Sequence, residues 1–152
     1  MQHAIKESFK VFDASNYKVG LVVSRFNTDI TEKLRDSALA MLAAYSVIPA
    51  NIKVLEVAGA IELPLVLQKL AKTGTYTCLV ALGAVIRGDT THYDYVCGMA
   101  ADGVLRVMLD TNTPIGFGVL TCENMDQAIA RLDVGGSATE AALQSAKILR
   151  EL

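Results

Sequence analysis

Tryptophan is absent from the 152 residues, and histidine (two), cysteine (three) and proline (three) are scarce. Each shortage excludes something. With His3 and His92 the only imidazoles and no C-x-x-C pair, a zinc site lacks its usual ligands. Cys78, Cys97 and Cys122 are odd in number and far apart, which fits reduced, mostly buried thiols rather than a disulfide framework. Charge of one sign is also missing. Fourteen Lys and Arg stand against sixteen Asp and Glu, a net charge of −2 with no block of like sign, so there is no basic footprint for nucleic acid or an anionic membrane. No apolar run reaches the roughly 18 residues that suggest a membrane span, and MQHAIKESFKVFD lacks the apolar core and cleavage site of a signal peptide. A cytoplasmic protein is expected. The chain contains neither G-x-x-x-x-G-K-[ST], nor a G-x-G-x-x-G opening its first helix, nor G-x-S-x-G, which removes the usual support for nucleotide hydrolysis, NAD binding and serine hydrolysis.

What is abundant is apolar side chain. Hydrophobic residues make up 52% of the chain with glycine left out, whereas about 45–50% with glycine included is usual. The surplus suits a sheet buried on both faces, a subunit interface, or both. The length fits one domain, residues 1–152, large enough to bury roughly 70% of its unfolded surface without disulfides or a structural metal.

After a polar N-terminal arm, residues 1–17, the run 18–24 is apolar and β-branched and stops at Arg25-Phe26-Asn27, as a buried strand would. Asp29 with Glu32 three residues on predicts a capping box opening a helix that continues towards Pro49. Residues 51–57 alternate as a strand exposed on one side. A helix over 62–72 holds Pro64 in its first turn and closes at Gly74. TCLVALGAVI, 77–86, predicts a central strand covered on both faces. Val96, Ala100, Val104, Val107 and Met108 fall on one face of a helix from about 92 to 110. IGFGVLT, 115–121, predicts a fourth strand whose two glycines invite close backbone approach. Asn124 with Gln127 starts a fourth helix ending near Leu132, Gly135-Gly136 breaks it, and Ser137 with Glu140 caps a terminal helix, 138–152. Four rounds of strand and helix predict an α/β, flavodoxin-like three-layer sandwich: a four-stranded parallel sheet with helices on both faces. Ligands in such sheets sit beyond the carboxyl ends of the strands, which directs attention to residues 24–28, 58–62, 87–92 and 121–124.

Three of these segments, and Arg131 beyond the fourth, carry a residue with two readings. Phe26 at the mouth of the first strand could stack on a planar ring, or pack under the first helix. Glu62 in a first helical turn complements the helix dipole, or accepts hydrogen bonds from ligand hydroxyls. Arg87-Gly88-Asp89-Thr90-Thr91-His92 combines a flexible glycine, hydroxyls and an interior histidine at a helix N-terminus, where anions bind naturally. That combination suits a proton shuttle for a phosphorylated substrate, or His92 serves as a cap or surface residue. Arg131 near a helix C-terminus complements the dipole there, or its fork holds a phosphate.

Taken together, Ser24-Arg25-Phe26-Asn27, Gly59-Ala60-Ile61-Glu62-Leu63-Pro64, the block from Gly83 to Val96, Phe117-Gly118-Val119-Leu120-Thr121 and Glu123-Asn124 to Arg131 resemble 6,7-dimethyl-8-ribityllumazine synthases. The match spans almost the whole chain, as five motifs in the family's order and spacing. The resemblance implies a cofactor-independent transferase of riboflavin biosynthesis that condenses 5-amino-6-(D-ribitylamino)uracil with 3,4-dihydroxy-2-butanone 4-phosphate, releasing phosphate and water. It implies that Phe26, Ala60, Ile61, Glu62, Ala84, Val85, Ile86 and Phe117 contact the ribitylaminouracil, with the Phe26 ring on the pyrimidine and Glu62 on ribityl hydroxyls. It also implies that Asp89, Thr90 and Arg131 hold the butanone phosphate and that His92 moves protons. The family builds homo-oligomers from pentamers with sites between subunits, some closing into icosahedral capsids, and riboflavin synthase is an implied partner; pentamer and sixty-subunit shell both stay open.

One segment departs from the family pattern. Residues 132–137, LDVGGS, are about two residues shorter than the family's glycine-rich loop and lack its lysine, which predicts weaker phosphate binding than in relatives that carry it, improved by lysine at 136 or 137. Two other classes fit the same fold: a flavin carrier without turnover, and a shell protein with a decayed site. Archaeal-type riboflavin synthase shares the fold as well. The block from Gly88 to His92 argues against the carrier and that synthase, and the intact Phe26, Glu62, His92 and Arg131 argue against decay.

Overall fold

The computed structural model describes residues 8–152. Residues 1–7, with His3 and much of the expected arm, lie outside them. The rest of that arm is less polar than expected: Ala14 and Tyr17 are buried, and Phe12 packs its ring 5.7 Å from that of Tyr17 and 5.1 Å from that of Tyr45.

Four strands form one parallel sheet: β1 (Val19–Ser24), β2 (Ile52–Val57), β3 (Cys78–Ile86) and β4 (Ile115–Cys122), in the order β2-β1-β3-β4. The two inner strands are the runs with unbroken apolar sequence, because only a strand covered on both faces needs apolar residues at every position. Alternation sorts them. Leu21, Val23, Val80 and Leu82 face one layer with α1 (Thr28–Ala44) and α5 (Val134–Glu151), while Val22, Leu79 and Ala81 face α2 (Leu63–Lys72) and α3 (His92–Thr111). Of the apolar stripe expected on α3, Ala100, Val104 and Val107 are buried and Val96 and Met108 partly so. A short α4 (Met125–Ile129) follows β4 and puts Ala128 against the α1 and α5 layer. The α/β three-layer sandwich expected from the pattern is the observed fold.

Both close approaches expected of β4 occur. A methyl at Gly116 would collide with the Ala138 carbonyl, and one at Gly118 would come within 2.7 Å of Leu82 Cδ2, so β4 lies hard against α5 and its neighbour strand.

The caps differ from expectation. Asp29 and Glu32 form no capping box: α1 starts one residue earlier, behind Asn27 in the left-handed region at φ 58°. The Asn27 side chain is drawn across the sheet, where Nδ2 donates to the Ala84 carbonyl at 2.9 Å, and Thr28 Oγ1 donates to the Arg25 carbonyl at 2.6 Å. Asparagine tolerates this backbone and supplies the link between β1 and β3. At Asn124 the expected pair does form, with Oδ1 accepting from Gln127 N–H at 2.9 Å, but α4 ends at Ile129 rather than near Leu132.

Gly135 and Gly136 do not break a helix; they lie inside the first turn of α5, and Ser137 and Glu140 form no box. The reason is the crossing of α5 over α1. A methyl at Gly135 would collide with the Leu34 carbonyl, and Gly136 N–H donates to Ser37 Oγ at 2.9 Å. Glu140 instead accepts from the Tyr45 hydroxyl at 2.9 Å. Lysine at 136 would push its Cβ to 3.0 Å from Ser37 Oγ, so of the two positions considered for restoring a cation only half-buried Ser137 avoids the helix crossing. Gly135→Ala is expected to lower stability by about 1–3 kcal/mol, a Tm drop of roughly 3–10 °C in thermal denaturation. Gly98→Ala, in α3 where a methyl meets nothing within 4 Å, is expected to raise stability by about 0.5–1 kcal/mol. Equal Tm values for the two variants would refute the helix-crossing explanation.

Candidate active site

The chain leaves β1 towards β2 on one side and towards β3 on the other, so a crevice opens at the carboxyl ends of β1 and β3. β1 pairs with β3 as far as Val23 and Leu82, yet β3 runs on to Ile86 beside β4. Ala84 points its carbonyl to the side of β1, where Asn27 takes it, and two residues on Ile86 turns its backbone groups the same way, beyond the end of β1. The floor of the crevice is therefore the end of β3, Ala84 to Ile86, with the backbone edge at Ile86 extending past β1.

The walls come from three loops. Phe26, 72% exposed, stands on the turn after β1, and its ring lies against Gly59, where a Cβ would sit 3.1 Å from Phe26 Cδ2. Gly59 to Glu62 make a tight turn with a 3-10 stretch over Ala60–Glu62. Glu62 Oε2 accepts from Gly59 N–H at 2.9 Å, and its second carboxylate oxygen has no partner among the described residues. One oxygen thus closes the turn and the other is open to the crevice. Opposite stands His92, the first residue of α3, with Val96 one turn further along. Phe26, Asn27, Gly59, Ala60, Ile61, Glu62, Ala84, Val85, Ile86, His92 and Val96 together line a cleft of about 280 Å3. Asn27, Gly59 and Val96 were not singled out from the sequence; the signal for Asn27 is its type, since asparagine tolerates the left-handed turn that a strand must make to enter α1 here.

Asp89 and Thr90 are exposed on the loop that leads into α3, beside the cleft rather than in its lining. Thr90 Oγ1 accepts weakly from His92 N–H at 3.3 Å. Phe117 and Arg131 lie elsewhere on the protomer. Phe117, 41% exposed, sits in the middle of edge strand β4 opposite Ala81, and Arg131 follows α4 with Nη1 donating to the Gln127 carbonyl at 2.7 Å. The single chain unites eight of the expected residues in one cleft and leaves four outside it.

Charge around the rim is organised by Arg87. Its Nε donates to Glu123 Oε2 at 2.8 Å and its Nη2 to Asp94 Oδ1 at 3.2 Å, and the guanidinium lies 4.3 Å from the centre of the Tyr93 ring. The bond to Glu123 first, and that to Asp94 second, hold Arg87 protonated beyond its ordinary range. All three cysteines are free thiols, with Cys78 and Cys122 buried and Cys97 half-buried. Burial pushes the Cys78 thiol up to about 12 and raises the other two, so none is poised as a thiolate nucleophile. Among the described residues no three His, Cys, Asp or Glu side chains converge as a metal cage, and no helix is long and apolar enough to cross a membrane.

Beneath the cleft, Ser24 Oγ is buried without a hydrogen-bond partner among the described residues, and a Cβ at Gly83 would press within 2.8 Å of it. An unpartnered hydroxyl contributes nothing to offset its desolvation. Ser24→Ala is expected to leave Tm unchanged or raise it by a few degrees; a fall comparable to that of Gly135→Ala would reveal a hidden partner.

The family model for 6,7-dimethyl-8-ribityllumazine synthase matches residues 16–150. A curated 6,7-dimethyl-8-ribityllumazine synthase from Desulfovibrio desulfuricans (strain ATCC 27774 / DSM 6949 / MB) is 42% identical over 145 residues, which cover 92% of this chain and 93% of the relative. The match takes in every strand of the sheet and every loop that builds the cleft, and on that extent the chain belongs to the 6,7-dimethyl-8-ribityllumazine synthase family.

Proposed function

We propose that the protein joins 5-amino-6-(D-ribitylamino)uracil to 3,4-dihydroxy-2-butanone 4-phosphate, forming 6,7-dimethyl-8-ribityllumazine with loss of phosphate and water, the penultimate step to riboflavin. The observation that carries this reading is a single cleft in which an exposed aromatic ring, an edge of strand backbone, a carboxylate and an imidazole face one another, in a chain of this family. Phe26 stacks on the pyrimidine, Ala60, Ile61, Ala84, Val85 and Ile86 line its edge, and Glu62 accepts from ribityl hydroxyls with its second oxygen. The 5-amino nitrogen of the uracil bonds to the ketone carbon, whose oxygen departs as water; elimination of phosphate then leaves a second carbonyl on the neighbouring carbon, and the ribitylamino nitrogen closes the ring there with loss of a second water, His92 supplying and taking up the protons. Departure of phosphate calls for a cation at the leaving oxygens, the role assigned to Arg131, with Asp89 and Thr90 holding the same substrate. Much of the acceleration comes from fixing two reactants together. No covalent intermediate with the protein and no cofactor is invoked.

The distance between the two groups of residues within one chain is reconciled by assembly. Phe117 and Arg131 of one subunit complete the cleft of its neighbour, in a homo-oligomer built from pentamers. Exposed apolar side chains on α3, Tyr95, Met99, Leu105 and Leu109, supply surface for such contacts. The whole chain, 1–152, acts as one lumazine synthase domain, in the cytoplasm, with riboflavin synthase as the enzyme that takes its product. Mixing the purified protein with both substrates tests the activity: lumazine absorbance and fluorescence should rise in step with phosphate release. Binding of the uracil without product would favour the carrier reading.

A further inference from the structure

The cluster around Arg87 lies outside the cleft and has no part in the chemistry above. Arg87 follows β3, with its own N–H donating to the Cys122 carbonyl of β4 at 2.9 Å. Its guanidinium then binds two carboxylates that belong to different halves of the proposed site. Asp94 lies in the first turn of α3, two residues after His92. Glu123 follows β4, and its N–H donates to Gln127 Oε1 at 2.8 Å, while the Gln127 carbonyl takes Arg131 Nη1 at 2.7 Å. A continuous chain of polar contacts therefore joins the helix that carries His92 to the arginine assigned to the phosphate. The Tyr93 ring under the guanidinium adds a contact that a lysine could not reproduce in the same geometry. The cluster is not itself an anion site, because one cation faces two carboxylates and its balance is negative.

We propose that Arg87 is a positioning residue that sets the start of α3, and with it His92 and the Asp89-Thr90 loop, against the β4 end that carries Arg131. This rests on the function proposed above. In the assembled oligomer Arg87 then links the half-site a subunit presents to one neighbour with the half-site it presents to the other. The ion pairs are partly exposed, with side-chain accessibilities of 36% for Arg87 and 58% for each carboxylate, so they contribute little to global stability and act on local order instead.

The test uses Arg87→Gln in the full-length oligomer, with Arg87→Lys and Glu123→Gln as conservative partners. Backbone amide exchange should quicken about tenfold over residues 88–95 and 123–131 in Arg87→Gln, while Tm stays within about 2 °C of the parent. In steady-state assays kcat should fall about 10-fold to 100-fold, because small misplacements of reacting groups are costly. KM for the butanone phosphate should rise about tenfold and KM for the uracil stay within about twofold, since only the first depends on the loop and Arg131. Arg87→Lys and Glu123→Gln, each of which keeps part of the contact, should show smaller losses than Arg87→Gln. Unchanged exchange over both segments overturns the proposal, as does quickened exchange with parent-like kcat and KM, or an equal rise in both KM values. Exchange is read without turnover, so a parent protein that forms no lumazine defeats the proposed activity while the clamp is still decided by the exchange rates.

Discussion

Arg131→Ala is expected to raise KM for the butanone phosphate about 10-fold to 100-fold and to change KM for the ribitylaminouracil by no more than about twofold. The magnitude follows from the loss of charge-assisted hydrogen bonds, worth about 1.5–3 kcal/mol, at about 1.4 kcal/mol per tenfold. The selectivity follows from position: Arg131 stands outside the part of the cleft that Phe26 and Glu62 line, oriented by Gln127, so its removal leaves that lining intact. Steady-state kinetics with each substrate varied in turn checks this, and equal rises in both KM values would contradict the assignment. A mixing experiment reads the geometry of assembly. Subunits carrying Arg131→Ala, dissociated and reassembled with subunits carrying His92→Ala, should regain activity, because some mixed sites then pair an intact His92 from one chain with an intact Arg131 from the other. Failure of every mixture to exceed both parents would place the two residues in the same subunit's site.

His92→Ala should lower kcat by about 100-fold with both KM values within about threefold. General acid–base groups contribute about 10²-fold to 10⁴-fold. The low end is expected here because water admitted with the substrates can take over part of the proton transfer. The substitution removes a side chain from the first residue of α3 without touching its buried stripe of Ala100, Val104 and Val107, so Tm should hold. A variant with undiminished kcat would reduce His92 to a wall of the cleft.

Arg87 shows where reading from the sequence stops. Its place in the motif was visible, but its partners lie 7 and 36 residues away, on α3 and on the turn after β4, and nothing local to Arg87 distinguishes a phosphate ligand from a clamp between carboxylates. Asn27 is similar: as a residue following a strand it reads as a turn former, whereas its contact with Ala84 spans 57 residues. Glu62 shows the same limit: its place in a first helical turn was legible, but not that one of its oxygens closes that turn on Gly59 N–H.

Periodicity is a property of the chain itself, because burial on one face or two must repeat at the spacing of a helix or a strand. That is why the four strands, the stripe on α3, the parallel sandwich and the rim on which Phe26, Glu62 and His92 gather were all legible in advance. A glycine announces only a missing Cβ, without saying whether a turn or a neighbour required it, and so Gly135 and Gly136 read as a helix break until α1 was seen crossing them. Local spacing alone does not fix a cap: Asp29 with Glu32 and Ser137 with Glu140 had the right spacing, but α1 begins ahead of Asp29 and Glu140 is taken up by distant Tyr45. Packing between elements far apart in sequence decided those contests, and it decided that Phe117 and Arg131 stand on the far side of β3 from the cleft.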